Sequence, residues 1–161
     1  MKCIYSGSFD VLTKGHKFVI DKALKMFDEV YIAIGVNPDK KTLFSLDKRK
    51  QMISETFKNN PRIKVVSFEN KFMAKFCKEL DINFSIRGVR SVKDYEYELQ
   101  LQEINEVINS DLTTIYLFPP AKYAGLSSSL VKGLVGNDGW EEIVKNMVPE
   151  NVLKELDKLR K

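Results

Sequence analysis

The chain has 161 residues, with 26 lysines and arginines against 22 aspartates and glutamates, so its formal net charge at pH 7 is only +4. This length predicts one domain over residues 1–161, large enough to bury a core without disulfides or metals. The lysines are scattered along the helix-like segments rather than gathered in a stripe with interleaved aromatic residues. That distribution argues against a dedicated nucleic-acid-binding protein.

No run of apolar residues approaches the length of a membrane span, and the first residues lead into a strand-like pattern without the apolar core of a signal peptide. We therefore expect a cytoplasmic protein with no membrane partner. The two cysteines, Cys3 and Cys77, stand among core-like residues without metal-binding spacing. We predict that both are buried free thiols.

Apolar runs rich in β-branched residues predict five strands, and apolar residues at helical spacing predict the helices between them. The predicted strands are Cys3–Tyr5, Glu29–Val36, Ile63–Phe68, Asn83–Ile86 and Thr113–Phe118. The first predicted helix buries Val19 to Phe27, and the second runs from a Ser45 cap to Asn59. A third follows an Asn70 cap and buries Phe72 to Leu80, and a fourth runs from Val92 to about Ile108. A fifth follows Ser127–Ser129 and reaches Leu134, and the last starts at Pro149. Residues 121–125 are predicted to form a loop.

Strands that alternate with helices predict an α/β fold, because each right-handed crossover returns the chain to a parallel sheet. We expect a single-domain, Rossmann-like, doubly wound sheet of five parallel strands, with helices on both faces and further helices at the C-terminus. Ligands of such sheets lie beyond the carboxyl ends of the strands. This rule brings to one edge the loops at residues 7–16, 37–44, 69–73, 87–90 and 119–129.

The most informative of these loops runs from Tyr5 to His16, between the first strand and the first helix. Its small residues Ser6–Ser8 let a ligand approach the backbone, and the helix that begins near Gly15 directs free N–H groups toward the same space. An anion is the expected occupant. Taken alone, this stretch is better explained by a glycine-containing turn followed by a helix with a surface histidine, because isolated glycine motifs recur by chance.

Two further loops at this edge suit phosphate. Arg87 and Arg90 flank a glycine directly after the fourth strand. Guanidinium groups bind phosphate oxygens through paired hydrogen bonds. Arginine-rich loops are also often simply exposed to solvent. Ser127–Ser129 stand at the start of a helix, where serine is an ordinary cap residue. Their hydroxyls and N–H groups could also hold the β- and γ-phosphates of a nucleotide. Lys40 adds a positive charge after the second strand.

Several common enzyme classes are excluded by the motifs that are missing. The sequence has neither a Walker A motif nor a Gly-x-Gly-x-x-Gly after a strand, so a P-loop protein or a dinucleotide oxidoreductase is not expected. The single histidine, His16, belongs to the phosphate loop, so a cysteine nucleophile or a serine triad is not expected either.

The combination of Gly7-Ser8-Phe9-Asp10 with Thr13-Lys14-Gly15-His16 resembles the signature of the nucleotidyltransferase superfamily that carries a (His/Thr)-x-Gly-His motif. Over essentially its whole length, the chain resembles the bacterial phosphopantetheine adenylyltransferase family. The other motifs that carry this resemblance are Asn37-Pro38-Asp39-Lys40-Lys41, Ile86-Arg87-Gly88-Val89-Arg90, Asp94-Tyr95-Glu96-Tyr97-Glu98, Ser127-Ser128-Ser129-Leu130-Val131-Lys132 and Pro149-Glu150-Asn151-Val152.

This resemblance implies transfer of the adenylyl group of ATP to 4′-phosphopantetheine, with Mg²⁺, giving dephospho-coenzyme A and pyrophosphate in coenzyme A biosynthesis. The acceptor phosphate would attack the α-phosphorus in line, without a covalent intermediate. The resemblance also implies a homohexamer and coenzyme A as a feedback ligand.

The resemblance implies the following site residues. The catalytic residues are His16, Lys40 and Arg90, and the residues that bind the acceptor are Ser8, Lys40, Met73 and Arg87. The ATP site is Ser8, Phe9, His16, Gly88, Val89, Arg90, Glu98, Tyr123, Ala124, Gly125, Leu126, Ser127, Ser128 and Ser129. No residue is assigned as a metal ligand.

Three positions depart from the family pattern: Val11 stands where proline is usual, Lys71 where a carboxylate is common, and Gly133 where glutamate often follows the serine motif. A related transferase acting on nicotinamide mononucleotide or on a small alcohol phosphate is the nearest alternative. Thr13, and the absence of an Arg-Thr pair before Gly125, argue against a cytidylyltransferase. A non-catalytic nucleotide-binding or RNA-binding module is the alternative from another class.

Overall fold

A computed structural model describes residues 1–37, 39 and 41–159. Its strands are β1 (Lys2–Gly7), β2 (Glu29–Val36), β3 (Ile63–Glu69), β4 (Phe84–Gly88) and β5 (Thr113–Leu117). The helices are α1 (Lys14–Met26), α2 (Leu46–Thr56), α3 (Met73–Glu79), α4 (Val92–Ile108), α5 (Ala121–Ala124), α6 (Ser128–Leu134), α7 (Trp140–Val144) and α8 (Glu150–Lys158). All strand pairs are parallel, in the order β3-β2-β1-β4-β5, which confirms the predicted five-stranded sheet.

Both faces of the sheet are covered, because alternate residues of each strand point to opposite sides. Cys3 and Tyr5 of β1 belong to the larger core cluster, which also contains buried residues of α1, α2, α6, α7 and α8. Ile4, between them, belongs to a second cluster with Cys77 of α3. The helices therefore lie on both faces, as expected, and both cysteines are buried and free.

The strand order reverses at β1, which pairs with β2 on one side and with β4 on the other. At such a reversal, the loops that follow the two central strands diverge and leave a crevice at the carboxyl edge. The loop after β1 and the loop after β4 therefore meet at the place where this fold binds ligands.

The predicted start of α3 is wrong. Asn70 does not cap this helix, whose N-cap is Phe72 without any side-chain hydrogen bond. Asn70 instead has a φ of +52°, a left-handed conformation that asparagine tolerates better than most residues. The Phe72 side chain is 62% exposed rather than buried, because it precedes the helix and lies outside its core-facing side.

Two short helices also differ from the sequence analysis. Residues 121–124, predicted to be a loop, form α5, with Pro120 at its N-cap position. The second helix, α7, was not predicted; it follows Gly139, whose φ of +68° suits glycine. Trp140 and Val144 stand one turn apart on α7 and are both buried in the larger core, so core packing stabilises this short segment.

The long helix α4 spans the predicted residues, but part of its apolar face is open. Leu99, Ile104 and Val107 are all exposed, Val107 to 89%. No helix in the described ranges is long and apolar enough to cross a membrane.

Candidate functional site

A cavity of about 420 Å³ lies at the carboxyl edge, between the loops after β1 and β4 and the segment that leads into α6. A narrower cavity of about 150 Å³ adjoins it and shares Ser6, Arg87 and Glu98 with it. The larger cavity is lined by Tyr5, Ser6, Gly7, Ser8, Thr13, Gly15, His16, Val19, Arg87, Gly88, Arg90, Asp94, Tyr97, Glu98, Pro119, Leu126, Ser127, Ser128 and Ser129.

The loop between β1 and α1 is fixed by the carboxylate of Asp10, which is only 2% exposed. Its two oxygens accept hydrogen bonds from the backbone N–H groups of Leu43 (2.9 Å) and Phe44 (3.0 Å). The ammonium group of Lys132 on α6 lies 3.0 Å from the same carboxylate. Asp10 thus joins three segments of the chain, and its buried charge is satisfied by a cation and two N–H donors.

Two more side chains hold this loop from outside. Arg49 of α2 is buried and donates from Nη1 to the Ser8 carbonyl oxygen at 2.8 Å. Ser128 of α6 donates from its hydroxyl to the Val11 carbonyl oxygen at 2.7 Å. The backbone around the cavity is therefore set by contacts from α2 and α6 as well as by the small residues of the loop itself.

His16 takes part in the cap of α1. Thr13 is the N-cap residue; its hydroxyl accepts from the His16 backbone N–H at 3.3 Å, and its own backbone N–H donates to Nδ1 of His16 at 3.0 Å. This is a capping box in which the imidazole replaces the usual glutamate or glutamine. Because Nδ1 accepts this hydrogen bond, the ring proton of the neutral imidazole is on Nε2.

The surroundings of His16 keep it neutral. Burial, with smaller contributions from the positive charges of Arg90 and Arg87, lowers the pKa of His16 from 6.5 to about 4. The Phe9 ring packs edge-on against the imidazole, with ring centroids 5.1 Å apart. At pH 7 the ring is therefore a neutral hydrogen-bond donor through Nε2.

Arg87 is held in a network of directed hydrogen bonds. Its Nε and Nη2 donate to the two carboxylate oxygens of Glu98 at 2.7 and 2.5 Å. Its Nη1 donates to the carbonyl oxygen and the hydroxyl of Ser6 at 2.7 and 2.9 Å. Four of the five guanidinium hydrogens are thus engaged, and the fifth, on Nη2, has no hydrogen-bond acceptor in the described part of the chain.

Arg90 connects the loop after β4 to the loop before α6. Its Nε donates to the Asp94 carboxylate at 2.9 Å, and its Nη1 donates to the Leu126 carbonyl oxygen at 2.7 Å. Gly88, between the two arginines, packs against α1, where an added Cβ would lie 3.0 Å from a methyl group of Val19. A larger residue at Gly88 would push α1 away from β4.

The structure brings most of the predicted site residues together. Ser8, His16, Arg87, Gly88, Arg90, Glu98, Leu126 and Ser127–Ser129 line the larger cavity, and Met73 lines the narrower one. Phe9 and Val89 are each only 1% exposed and lie beneath the surface.

Tyr123, Ala124 and Gly125 are not among the lining residues, and Tyr123 instead packs against Phe18, with ring centroids 6.1 Å apart. The role of these three residues in binding ATP stays a prediction. The same holds for Lys40, which lies outside the described residues.

The sequence analysis did not identify Asp10, Arg49 and Lys132 as residues that shape the site, nor Asp94 and Tyr97 as lining residues. Asp10 stood inside a recognised motif, and that position could have indicated a role in the site. Lys132, Asp94 and Tyr97 likewise stood inside recognised motifs. Arg49 looked like an ordinary charged position of a surface helix, and nothing in the sequence distinguished it.

The site offers directed hydrogen-bond donors rather than a nucleophile or a metal cage. In residues 1–37, 39 and 41–159, no three His, Cys, Asp or Glu side chains form a group that could hold a metal ion. The protonated Nε2 of His16 is a donor and not a nucleophile. The arrangement can therefore bind a polyanion and stabilise charge that develops on it.

Comparison with known proteins places this geometry in a family. Residues 4–134 match the family model described as cytidylyltransferase-like. The chain is similar to a phosphopantetheine adenylyltransferase of Chromobacterium violaceum, with 40% identity over 155 residues that cover 96% of this chain and 94% of that relative. It is also similar to a phosphopantetheine adenylyltransferase of Campylobacter jejuni, with 42% identity over 95% of this chain and 94% of that relative.

Among solved structures, the nicotinic acid mononucleotide adenylyltransferase of Plasmodium falciparum in complex with NaAD has a similar fold. Its TM-score is 0.72 over 99% of this chain and 95% of that chain, with 19% sequence identity. Another structure of that enzyme, complexed with APC, has a TM-score of 0.66 over the same shares of the two chains. These likenesses support the Rossmann-like arrangement of the sheet and helices.

Proposed function

Since the chain belongs to the cytidylyltransferase-like family and, within it, to the phosphopantetheine adenylyltransferases, we propose that it transfers the adenylyl group of ATP to 4′-phosphopantetheine. The products are dephospho-coenzyme A and pyrophosphate. The observation that carries this proposal is the neutral imidazole of His16, which lines the cavity with its Nε2–H directed away from the Thr13 cap.

ATP occupies the larger cavity in this proposal. Helix α1 has 13 residues, and its positive dipole end faces the loop where the α-phosphate lies. The N–H groups of Lys14 and His16 already donate to the Met147 carbonyl oxygen and to the Thr13 hydroxyl, so the helix acts on the phosphate mainly through its dipole. Arg90 and the Ser127–Ser129 segment close the opposite side, where the β- and γ-phosphates are placed.

The acceptor phosphate lies beside Arg87, which has one guanidinium hydrogen without an acceptor among the described residues. The charge of Arg87 is largely balanced by Glu98, so this side chain acts through the direction of its N–H groups more than through a net positive field. Lys40 is the predicted second cation for this phosphate. The shared lining residues Ser6, Arg87 and Glu98 connect this position to the narrower cavity.

The narrower cavity suits the pantetheine arm. Met73, Leu101 and Ile104 give it an apolar wall, while the side chains of Gln102, Asn105 and Thr114 supply a few polar groups. A mostly apolar pocket with a small number of polar groups is typical of sites for small organic ligands. The arm would enter it from the phosphate at Arg87.

The reaction is a single displacement. An anionic oxygen of the acceptor phosphate forms a bond to the α-phosphorus of ATP, and the bond from that phosphorus to the bridging oxygen breaks, releasing pyrophosphate. No general base is needed, because the attacking oxygen already carries negative charge. The Nε2–H of His16 donates to an α-phosphate oxygen and stabilises the charge that increases there in the transition state.

Mg²⁺ enters as part of the substrate in this proposal. Magnesium binds ATP through phosphate oxygens and retains several water ligands, so it does not require a protein cage. The nearest carboxylates, Glu98 and Asp94, already bind Arg87 and Arg90. When bound, the ion neutralises part of the triphosphate charge.

We further propose the homohexamer, the feedback ligand and the cytoplasmic location that the family resemblance implies. Exposed apolar residues on α4, among them Ile104 and Val107, support burial of this helix face between subunits. Coenzyme A contains the same arm and phosphates as the proposed substrate and product, so it would compete for the two connected cavities. Light scattering after size-exclusion chromatography measures the molar mass of the assembly, and a value of six chains is expected.

The test of the function is pyrophosphate release from ATP and Mg²⁺ with three acceptors run in parallel. 4′-Phosphopantetheine is compared with nicotinamide mononucleotide, and with glycerol phosphate supplied together with CTP. We expect release only with 4′-phosphopantetheine, accompanied by dephospho-coenzyme A. Release only with another acceptor would overturn the substrate, and no release with any of them would favour a non-catalytic binding module.

A further inference from the structure

The side chain of Ser85 is an unusual feature of the narrower cavity. Ser85 lies in the middle of β4 and is 0% exposed. Its hydroxyl oxygen has no hydrogen-bond partner anywhere in the described ranges. A buried hydroxyl without a partner destabilises a folded protein relative to a hydrogen-bonded or apolar replacement, so its presence calls for a reason.

The position of Ser85 connects it to the acceptor. Strand alternation places Ser85 on the same face of the sheet as Arg87, two residues further along β4. Both residues line the narrower cavity, and Ser85 stands in register with Thr114 of β5, which lines it too. The unpartnered hydroxyl therefore belongs to a residue that lines the narrower cavity, and this cavity shares Arg87 with the larger one.

We propose that Ser85 is a specificity-determining residue whose hydroxyl hydrogen-bonds the first amide of the pantetheine arm. This inference rests on the proposed function and names one residue that recognises its acceptor. The hydroxyl has no partner among residues 1–37, 39 and 41–159 and gains one when the acceptor binds.

The spacing agrees with this assignment. Two residues along a strand correspond to about 7 Å, the distance from Ser85 to Arg87 along β4. In 4′-phosphopantetheine, the first amide carbonyl follows the phosphorus after five bonds, a separation of about 6 Å at ordinary bond lengths. These lengths are of the same order, so one acceptor molecule is long enough to contact both Arg87 and Ser85, which line the same cavity.

Access to the hydroxyl requires a side chain to move, since the Ser85 oxygen is sealed from water in the free structure. Met73 lines the same cavity, and its unbranched side chain changes rotamer at low cost. In the free structure its sulfur accepts only a weak hydrogen bond from Cys77, with the two sulfur atoms 3.3 Å apart. A change of the Met73 rotamer is one way in which entry of the arm would uncover the hydroxyl.

The proposal predicts effects of opposite direction in the free and the bound enzyme. In Ser85→Ala, the free enzyme loses an unsatisfied polar group, so its melting temperature should be unchanged or higher. The complex loses a hydrogen bond, so KM for 4′-phosphopantetheine should rise about threefold to tenfold. KM for ATP should stay within about twofold of the wild-type value, because ATP lies in the other cavity.

The experiment compares wild type, Ser85→Ala and the control Ser67→Ala. Ser67 is a partly buried serine on β3 that lines neither cavity, so its substitution should leave both KM values unchanged. Butyl phosphate, which has a phosphate but no amide, serves as a competitive probe. Its inhibition constant should be the same for wild type and Ser85→Ala.

An unchanged KM for 4′-phosphopantetheine in Ser85→Ala would overturn the proposal, as would an equal loss of affinity for butyl phosphate. If Ser85→Ala does not fold, Ser85→Cys replaces it, because a thiol has nearly the same shape and is a much weaker donor. Failure of the proposed function would look different, since wild type itself would then not use 4′-phosphopantetheine.

Discussion

The backbone N–H of Thr13 donates to Nδ1 of His16 at 3.0 Å, so a helix cap determines which nitrogen of the imidazole carries the proton. Burial and the nearby arginines lower the pKa of this imidazole to about 4, so it is neutral at pH 7. Together these two effects present Nε2–H as a fixed donor in the larger cavity. In the proposed reaction, this donor stabilises the charge on the α-phosphate.

Removal of the imidazole should slow the chemical step. We expect His16→Ala to lower kcat about 10²- to 10³-fold, the usual effect of losing one donor to a transition-state oxyanion. KM for both substrates should change little. Steady-state kinetics measure this, and Lys17→Ala is the control because its exposed ion pair with Asp21 lies outside the cavity. A kcat within about threefold of wild type would contradict the role of His16.

The pH dependence should show that the active imidazole is neutral. With a pKa of about 4 rather than 6.5, His16 gains no proton between about pH 8.5 and 5.5. The ratio of kcat/KM for wild type to that for His16→Ala should therefore be constant over this range. Titration of the acceptor phosphate affects both enzymes and cancels in the ratio. A fall in the ratio as the pH rises through about 6.5 would instead indicate an imidazolium.

Stability provides a second readout of the same pKa. A histidine whose pKa is lower in the folded than in the unfolded state binds fewer protons when folded, so stability should decrease as the pH falls from 6.5 toward 4. His16→Gln removes this titration. Between pH 6.5 and 4, its melting temperature should fall less than that of wild type. Parallel plots of melting temperature against pH for the two proteins would contradict the lowered pKa of His16.

The two arginine–carboxylate pairs should differ in their effect on folding. Glu98→Gln leaves the guanidinium of Arg87 without its charged partner at a site where both side chains are largely buried, and should cost about 2–4 kcal/mol. Asp94→Asn weakens the more exposed pair with Arg90 and should cost less than about 1 kcal/mol. Urea denaturation measures both. Equal losses of unfolding free energy in the two variants would show that burial does not determine how much each ion pair contributes.

The Asp10 carboxylate should matter for the shape of the phosphate loop. In Asp10→Asn, one oxygen that accepts an N–H becomes an NH₂ donor, and the ion pair with Lys132 is lost. We expect a loss of about 2–3 kcal/mol in stability and a fall in kcat of about tenfold or more, because the loop is displaced.

The matched variant is Lys132→Met, which removes the cation but keeps both N–H bonds to the carboxylate. Because the carboxylate keeps both backbone donors and Lys132 itself is partly exposed, the effects of Lys132→Met should be smaller than those of Asp10→Asn. The reverse order would show that the cation, and not the backbone contacts, fixes the loop.

The sheet could be predicted from the sequence because each strand is a short apolar run between clear turn residues, as at Glu29–Val36. The cap of α3 could not be predicted, because Asn70 suits both a helix cap and a left-handed turn, and tertiary packing decides between them. Helix α7 could not be predicted either, because this short helix is stabilised by burial of Trp140 in the core and has no local sequence pattern of its own.

The candidate site was partly predictable for a related reason. Residues in contiguous motifs, such as His16 and Arg87, were found by their place after a strand. The support for these motifs comes from far along the chain: Lys132 is 122 residues from its partner Asp10, and Arg49 is 41 residues from Ser8. One sequence holds no signal for such pairings. The missing partner of the Ser85 hydroxyl is likewise visible only in the folded structure.

Direct transfer of the adenylyl group, without a covalent enzyme intermediate, fixes the stereochemistry at the α-phosphorus. The enzyme is given one diastereomer of ATP with sulfur at the α-phosphate, together with Mg²⁺ and 4′-phosphopantetheine, and the configuration of the thiophosphate in the product is determined. A single in-line displacement predicts inversion. Retention would require two displacements through a covalent adenylyl-enzyme and would contradict the account.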